Sequence, residues 1–156
     1  MEGDTEVILN GGLDAAHRQI EAKPTYPFRV EEPVSNVVLV CWAQSHIDNG
    51  WLGYFFEMEA PGCPPYSVIS NAYRAIGASM FGDWIDAAVA RFPFDNAHLF
   101  LEQRCAIMYP VEDEDYENRF VHEFFADLPL EGRLEDVWQL LAAYIKAHEK
   151  IIFQTG

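Results

Sequence analysis

The chain has 156 residues, half of them hydrophobic, and its 25 acidic residues against 10 basic residues give it a net charge of −15. This length suits one domain that buries about two thirds of the surface exposed by its unfolded form, with no need for disulfides or metals. The negative charge repels phosphate backbones and anionic membrane surfaces and attracts basic partners. Direct nucleic-acid binding and membrane binding are therefore not expected.

The cysteines and the apolar runs indicate the compartment. Cys41, Cys63 and Cys105 cannot all pair with one another and have no metal-type spacing, so reduced thiols are expected. The acidic start of the chain does not have the pattern of a signal peptide. No apolar run approaches the eighteen or so residues that a membrane span requires. These features predict a cytoplasmic protein.

Residues 1–32 have the least regular pattern. Gly11 and Gly12 interrupt the segment from Val7 to Ile20, and three prolines keep the following residues extended. We therefore expect a loosely packed N-terminal helix followed by a strap. Residues 33–153 are predicted to form the helical core of a single domain that covers residues 1–156.

The longest apolar run and the densest aromatic cluster lie between Ser35 and Met58, on either side of Asn49 and Gly50. An Asn-Gly pair between apolar segments is a strong hairpin signal, and the valines before it suit a strand. The segments do not alternate, however, and apolar residues recur every three to four positions, which favours a helix. We predict a helix that ends in a left-handed cap at Gly50, followed by a short aromatic helix from Trp51 to Met58.

Five further segments have helical patterns. Tyr66 to Ala78 carries one apolar stripe, with Gly77 marking a helix end or a close approach. Asp83 to Phe92, Asn96 to Met108 and Leu134 to Phe153 have similar spacing, and Tyr116, Phe120, Phe124 and Leu128 recur every four residues between Val111 and Leu128. The predicted fold is all-α, a single-domain multi-helix bundle with no sheet larger than an incidental hairpin. Its structural motif comprises Asn49, Gly50, Trp51, Phe55 and Gly77.

Charge is densest between Glu112 and Asp136, where ten acidic residues accompany two basic ones. In a helix, the five acids among residues 112–117 would place one charge per about 1.8 Å of length, close to the one per about 1.7 Å of duplex DNA. These acids could instead complement a helix dipole, with Asp115 pairing with Arg119. We interpret the segment as an acidic face that binds a basic partner; its candidate residues are Glu112, Asp113, Glu114, Asp115, Glu117, Glu123, Asp127 and Glu131. A longer imitation of DNA would need further acids or a second subunit, as in a homodimer.

Catalytic and metal-binding motifs are not found in the sequence. It has no nucleophile elbow, no P-loop and no dinucleotide-binding glycine motif. His46 near Asp48 and His122 beside Glu123 lack the partner at position i+4 that helical metal sites usually have. Paired acids such as Asp83 and Asp86 look like solvated helix faces. We therefore predict no catalytic residues, no metal and no cofactor, and an enzyme is the less favoured interpretation.

Three segments resemble one protein family. Residues 47–56 are similar to its Asn-Gly-Gly-Phe-x-Gln-Tyr-Phe segment, residues 72–78 to its Ala-Leu-x-x-Ile-Gly-Ala helix end, and Leu134 to Ile145 to its closing helix. The family is the DNA mimic protein 19 family, which comprises small acidic bacterial proteins, and the resemblance spans about residues 34–148. Two positions depart from its pattern, because Trp51 replaces a second glycine and Gly53 replaces a glutamine.

The resemblance implies a helical protein that presents carboxylates as duplex DNA presents phosphates. Such a protein occupies the DNA site of a DNA-binding protein, such as a transcription regulator. The charge pattern by itself indicates an acidic binding surface but does not identify the partner. An immunity-type inhibitor of a basic toxin and a scaffold subunit are the alternatives.

Overall fold

The computed structural model describes residues 2–21, 31–110, 117–128 and 135–154. Within these ranges the chain forms eight α-helices, one 3₁₀ turn and no strand, which confirms the predicted all-α class. None of the helices in these ranges is both long enough and apolar enough to span a membrane. The helices are α1 Glu2–Glu21, α2 Val34–Glu57, α3 Tyr66–Ala75, α4 Ser79–Val89, α5 Leu101–Met108, α6 Glu117–Phe124, α7 Val137–Ala147 and α8 Glu149–Ile152, with the 3₁₀ turn at Ala97–Leu99.

Helix α1 runs without interruption through Gly11 and Gly12. A Cβ atom at Gly12 would lie 2.6 Å from Cγ2 of Ile145, so the glycine allows α1 to approach α7 closely. Ala16 and Ile20 of α1 are buried. The observed helix is therefore packed against the core, whereas a loose one was expected. The strap expected after it falls on residues 22–30, which lie outside the described ranges, and the single-domain boundary stays a prediction.

Helix α2 is the centre of the fold, since it packs against α1, α3, α5 and α7. Its first half buries Val37 and Val40 completely, and its second half buries Leu52, Phe55 and Phe56 completely. Each such side chain stabilises the folded state by about 1.5–3 kcal/mol through its removal from water. The two halves thus form one continuous apolar core, although they are separated by a break.

The break in α2 lies at Gly50 and Trp51, as the Asn-Gly pair predicted, but its backbone differs from the prediction. Gly50 has φ −156° and ψ 21°, whereas Trp51 has φ 59° and ψ −160°. The predicted left-handed cap at Gly50 is therefore wrong, and the next residue adopts the positive φ. Glycine is needed at position 50 for space, because a Cβ atom there would lie 2.5 Å from Cβ of Tyr54.

Helices α3 and α4 form a tight pair. Helix α3 ends where Gly77 takes φ +94°, and Ala78 and Gly77 donate backbone hydrogen bonds to Tyr73 O and Arg74 O, as in a Schellman motif. A Cβ atom at Gly82 would lie 2.7 Å from Ser70 O, so this glycine allows the two helices to touch. Helix α4 starts at Ser79, four residues before the predicted Asp83.

The later helices are shorter than predicted. The segment predicted as one helix from Asn96 to Met108 is a 3₁₀ turn followed by α5, and the segment predicted from Leu134 to Phe153 is interrupted at His148 between α7 and α8. Among the described side chains of α6 and the turn after it, Val121 and Phe125 are buried, whereas the predicted Phe124 is half-buried. Leu128 is buried as predicted, while Tyr116 and the side chain of Phe120 lie outside the described part of the chain.

Arg104 of α5 is a fully buried arginine. Its Nε donates a hydrogen bond of 2.9 Å to Phe56 O, and its Nη1 and Nη2 donate to Ala97 O and Met58 O. Phe56 and Met58 lie at the C-terminal end of α2, where helix carbonyls lack partners and a positive charge is favourable. Arg104 therefore caps the C-terminal end of α2 and links it by hydrogen bonds to the 3₁₀ turn.

We predict that Gly50→Ala destabilises the protein by about 1–3 kcal/mol, because the new methyl group overlaps Tyr54. Gly3→Ala is a matched control, since a Cβ atom at Gly3 meets nothing within 4 Å; it should stabilise α1 by about 0.5–1 kcal/mol. Urea unfolding followed by circular dichroism measures both changes. An unaltered urea midpoint for Gly50→Ala would show that Tyr54 does not constrain the break.

We also predict that Arg104→Met destabilises the protein by about 2–4 kcal/mol, because three carbonyl oxygens lose their donors while the side-chain volume is largely kept. The same exchange at the exposed Arg18 should change the free energy of unfolding by no more than about 0.5 kcal/mol. Thermal and urea unfolding of both variants provide the comparison. Equal losses at the two positions would contradict the role assigned to Arg104.

Candidate functional site

A cleft of about 750 Å³ opens beside the break in α2. Both halves of α2, helices α4 and α6, and the start of α7 contribute residues to its lining. This volume lies within the range of ligand pockets in proteins. The cleft therefore places the Asn-Gly motif beside the last acids of the acidic segment, and it is the candidate functional site.

Asp48 lies at the edge of the cleft and is fixed by neutral donors. Trp138 Nε1 donates to Asp48 Oδ2 at 2.8 Å, and Gln44 Nε2 donates to Asp48 Oδ1 at 2.7 Å. Gln44 in turn accepts a hydrogen bond of 3.1 Å from the hydroxyl of the buried Tyr73. A chain of hydrogen bonds from α3 through α2 to α7 thus orients an exposed carboxylate.

Glu135 and Asp136 supply two further carboxylates at the N-terminal ends of helices. Glu135 Oε2 accepts a hydrogen bond of 2.8 Å from the backbone N–H of Phe81, in the first turn of α4. Asp136 Oδ1 accepts one of 3.1 Å from the backbone N–H of Gln139 and caps α7. Negative charge at these positions is favourable because helix N-termini carry partial positive charge. The bond to Glu135 also accounts for the early start of α4, which the sequence did not reveal.

Aromatic side chains form the rest of the cleft wall. Trp51 stacks on His122 of α6 with ring centroids 4.8 Å apart and meets the edge of Phe125 at 5.9 Å. Trp84 is only 2% exposed, and its indole N–H has no hydrogen-bond acceptor among the described residues. The φ of 59° and ψ of −160° at Trp51 define a conformation that side-chain-bearing residues rarely adopt, at a cost of about 1–3 kcal/mol. Such strain is typical of functional sites.

Cations do not neutralise the cleft in the part of the chain that the structure describes. Both ion pairs found there belong to Arg74, which contacts Asp83 and Asp86 at 2.6 Å. Arg104 is buried against carbonyls. No cation among the described residues therefore forms an ion pair with Asp48, Glu135 or Asp136, which lie in a concave surface where the field is focused.

The acidic candidates from the sequence are only partly described. Glu123 and Asp127 lie exposed on and just after α6, the helix that brings His122 to the cleft. Glu112, Asp113, Glu114, Asp115 and Glu131 lie outside the described residues, as does the side chain of Glu117. Their assignment to a binding face stays a prediction.

Three of the motif residues, Asn49, Gly50 and Trp51, line the cleft, whereas Gly77 lies at the end of α3. The Asn49 side chain donates to Ser45 O at 2.7 Å in the last turn before the break. Phe55 is buried completely in the core, where it packs against Phe56 and Tyr66. At Gly53 a Cβ atom would lie 2.9 Å from Cγ1 of Val121 and 3.0 Å from the Tyr109 hydroxyl. A glutamine at position 53 would therefore collide with α6, which explains this departure from the family pattern.

Sequence reasoning missed Asp48, Trp84 and Trp138 as site residues. Asp48 and Trp138 are 90 positions apart, and each also fits an ordinary helix pattern. The only local signal was the position of Asp48 directly before the Asn-Gly pair. No group of three or more potential metal ligands occurs among the described residues. His46 is instead held against Trp42, with Nδ1 2.7 Å from Trp42 O.

Two titratable groups, Cys41 of α2 and Tyr73 of α3, have raised pKa values. Burial raises the pKa of Cys41 from 9.0 to about 11. Burial, with smaller contributions from the charges of Asp48 and Cys41, holds the pKa of Tyr73 well above its ordinary value. Both groups are therefore neutral at physiological pH, and the Tyr73 hydroxyl remains the donor to Gln44.

We predict that the raised pKa of Cys41 makes stability depend on pH in the alkaline range. The unfolded chain loses this proton near pH 9 and the native chain only near pH 11, so stability falls between these values by about 2–3 kcal/mol. Cys41→Ala should remove that part of the fall, together with the small contribution that Cys41 makes to the raised pKa of Tyr73. Urea unfolding at intervals from pH 8 to pH 11 measures the difference, and parallel curves for the two proteins would contradict it.

The chain matches a known protein family but no individual known protein. No curated protein and no solved structure matches the chain. The family model described as DMP19-like protein matches residues 29–148, a span that includes the break in α2, the cleft and α7. The chain therefore belongs to the DMP19-like protein family.

Proposed function

We propose that this protein is an acidic interaction module that occupies the DNA-binding site of a basic DNA-binding protein, such as a transcription regulator. The proposal rests on the oriented cleft carboxylates Asp48, Glu135 and Asp136. Among the described residues, the groups that donate hydrogen bonds to them are all neutral. A net charge of −15 around them attracts positively charged surfaces over long distances.

The distribution of charge supports a binding face on this side of the molecule. Glu123 and Asp127 are exposed at α6, and Asp48 and Asp136 are exposed at the cleft. By contrast, the exposed cations of α1, α7 and α8 are Arg18, Lys146 and Lys150, none of which lines the cleft. The acids of residues 112–117 and Glu131 would extend the same face, because they adjoin α6 and α7 in the sequence.

Two arguments favour a partner that normally binds DNA. The charge density expected for residues 112–117 approaches that of a duplex. Membership of the DMP19-like family agrees with this, because the family resemblance implies DNA mimicry. Such a partner would place the protein in the cytoplasm, where the three free cysteines would remain reduced.

An immunity-type inhibitor of a basic toxin is the second candidate, since it would use the same acidic face. A small enzyme that uses the cleft carboxylates is the third. Duplex DNA distinguishes the first two when it is compared with heparin at equal charge, because a partner captured through its DNA site is released more readily by DNA than by another polyanion. Purification of partners from the host on the immobilised protein, with elution by duplex DNA, therefore tests the proposed partner class directly.

We predict that Glu123→Gln combined with Asp127→Asn slows association with the captured partner and flattens its salt dependence. Steering by exposed charge is screened over about 10 Å at 0.1 M salt, so the loss should be greatest at low salt. Surface plasmon resonance from 25 to 300 mM salt measures the association rate.

The matched control is Asp14→Asn combined with Glu149→Gln, which removes the same charge from exposed positions on α1 and α8. It should reduce the association rate much less than the α6 pair does. Equal effects of the two double variants would show that net charge alone attracts the partner. A partner that resists elution by DNA would contradict DNA mimicry.

A further inference from the structure

We propose that the cleft beside the break in α2 receives an arginine side chain of the basic partner. This inference rests on the proposed function, since it assigns to the acidic face a specific receptor for one residue. A surface of exposed acids steers a partner but does not by itself select a residue. A cleft with oriented carboxylates and aromatic walls can do so.

The carboxylates of the cleft have unused hydrogen-bonding capacity. Each oxygen of Asp48 accepts one hydrogen bond, from Trp138 and from Gln44, whereas a carboxylate offers about four lone-pair sites. Asp136 accepts one bond through Oδ1, and no described residue donates to its Oδ2. These acceptors are fixed in position by the fold, so a guanidinium group could bind without ordering them first.

The aromatic wall favours arginine over lysine. Trp51 and Trp138 line the cleft, and the stack of Trp51 on His122 holds the indole ring in place. A planar guanidinium stacks on indole faces and binds carboxylates through two parallel hydrogen bonds, whereas an ammonium group does neither. The strained backbone conformation of Trp51 is consistent with this role, because Trp51 lines the cleft.

Trp84 provides an independent indication of a missing ligand. It lines the cleft, it is 98% buried, and its indole N–H lacks an acceptor among the described residues. Buried donors are nearly always paired in native proteins, and an unpaired one calls for an explanation. An arginine within a peptide carries a backbone carbonyl as well as a guanidinium, and the volume of about 750 Å³ has room for both.

The test uses the full chain and a blocked pentapeptide with arginine between glycines as the probe. The protein contains four tryptophans, so its indole N–H signals in a nitrogen–proton NMR spectrum report on four positions. The signals of Trp51, Trp84 and Trp138 should shift on titration, while Trp42, which does not line the cleft, should not. Peptides with lysine or with citrulline, the neutral analogue of arginine, should cause shifts at least about fivefold weaker at equal concentration.

Two variants test the proposed contacts. Asp48→Asn should weaken binding of the arginine peptide about tenfold or more, because a hydrogen bond between two charged groups is lost, whereas Asp14→Asn, a matched change on α1, should not weaken it. Trp51→Gly should weaken it about fivefold, and glycine accommodates the positive φ at this position, so the break in α2 is expected to survive. If Asp48→Asn does not fold, Asp136→Asn replaces it, since asparagine also caps helices well.

The outcomes separate this inference from the proposed function. Absent shifts, equal shifts of all four tryptophans, or undiminished affinity in Asp48→Asn would overturn the arginine receptor. If the partner captured from the host still binds Asp48→Asn fully but loses affinity for the α6 double variant, the acidic face stands and the receptor is wrong. If the peptide binds as expected but no basic partner is captured, the receptor stands and the proposed partner class is wrong.

Discussion

The contact between Gly50 and Tyr54 is the constraint on which the rest of the structure depends. Helix α2 carries 24 residues that are apolar on most sides, and its two buried halves are separated by the break at Gly50 and Trp51. At this break, Tyr54 lies so close to Gly50 that a side chain at position 50 would overlap it, and Trp51 adopts an unfavourable backbone conformation. The aromatic half can then reach the core, where Phe56 packs against Phe92 and Phe125.

The polar groups that this turn brings inside are satisfied by partners from distant parts of the chain. Arg104 is buried beside the C-terminal end of α2 and donates hydrogen bonds to its carbonyl oxygens. At the other side of the break, Gln44 links the Tyr73 hydroxyl to Asp48. Buried polar groups of this kind cost free energy unless they are paired. The two sets of hydrogen bonds therefore fix the geometry of the break as well as stabilising it.

The same break produces the candidate site. Residues on both sides of the break in α2 line a concave surface, and α4, α6 and the start of α7 enclose it. Glu135 and Asp136 accept backbone hydrogen bonds at helix N-termini and at the same time line the cleft. Structural and functional roles thus share the same side chains, which is consistent with a binding surface that is rigid before it meets its partner. The resemblance to the family and the charge of the chain support a basic partner from independent directions.

The sequence by itself determined the all-α class, the position of the break and the excess of negative charge. Apolar spacing along a helix is a local property, and Asn49-Gly50 interrupts it at one place, so both could be read from neighbouring residues. Only the tertiary structure decided which residue takes the positive φ, because the Trp51 side chain packs against His122 and Phe125 from a distant part of the chain. It also decided where α4 starts, since its first turn binds Glu135 from 54 positions away. The cleft required the tertiary structure for the same physical reason: Asp48, Trp84 and Trp138 become neighbours only when helices distant in the chain pack together.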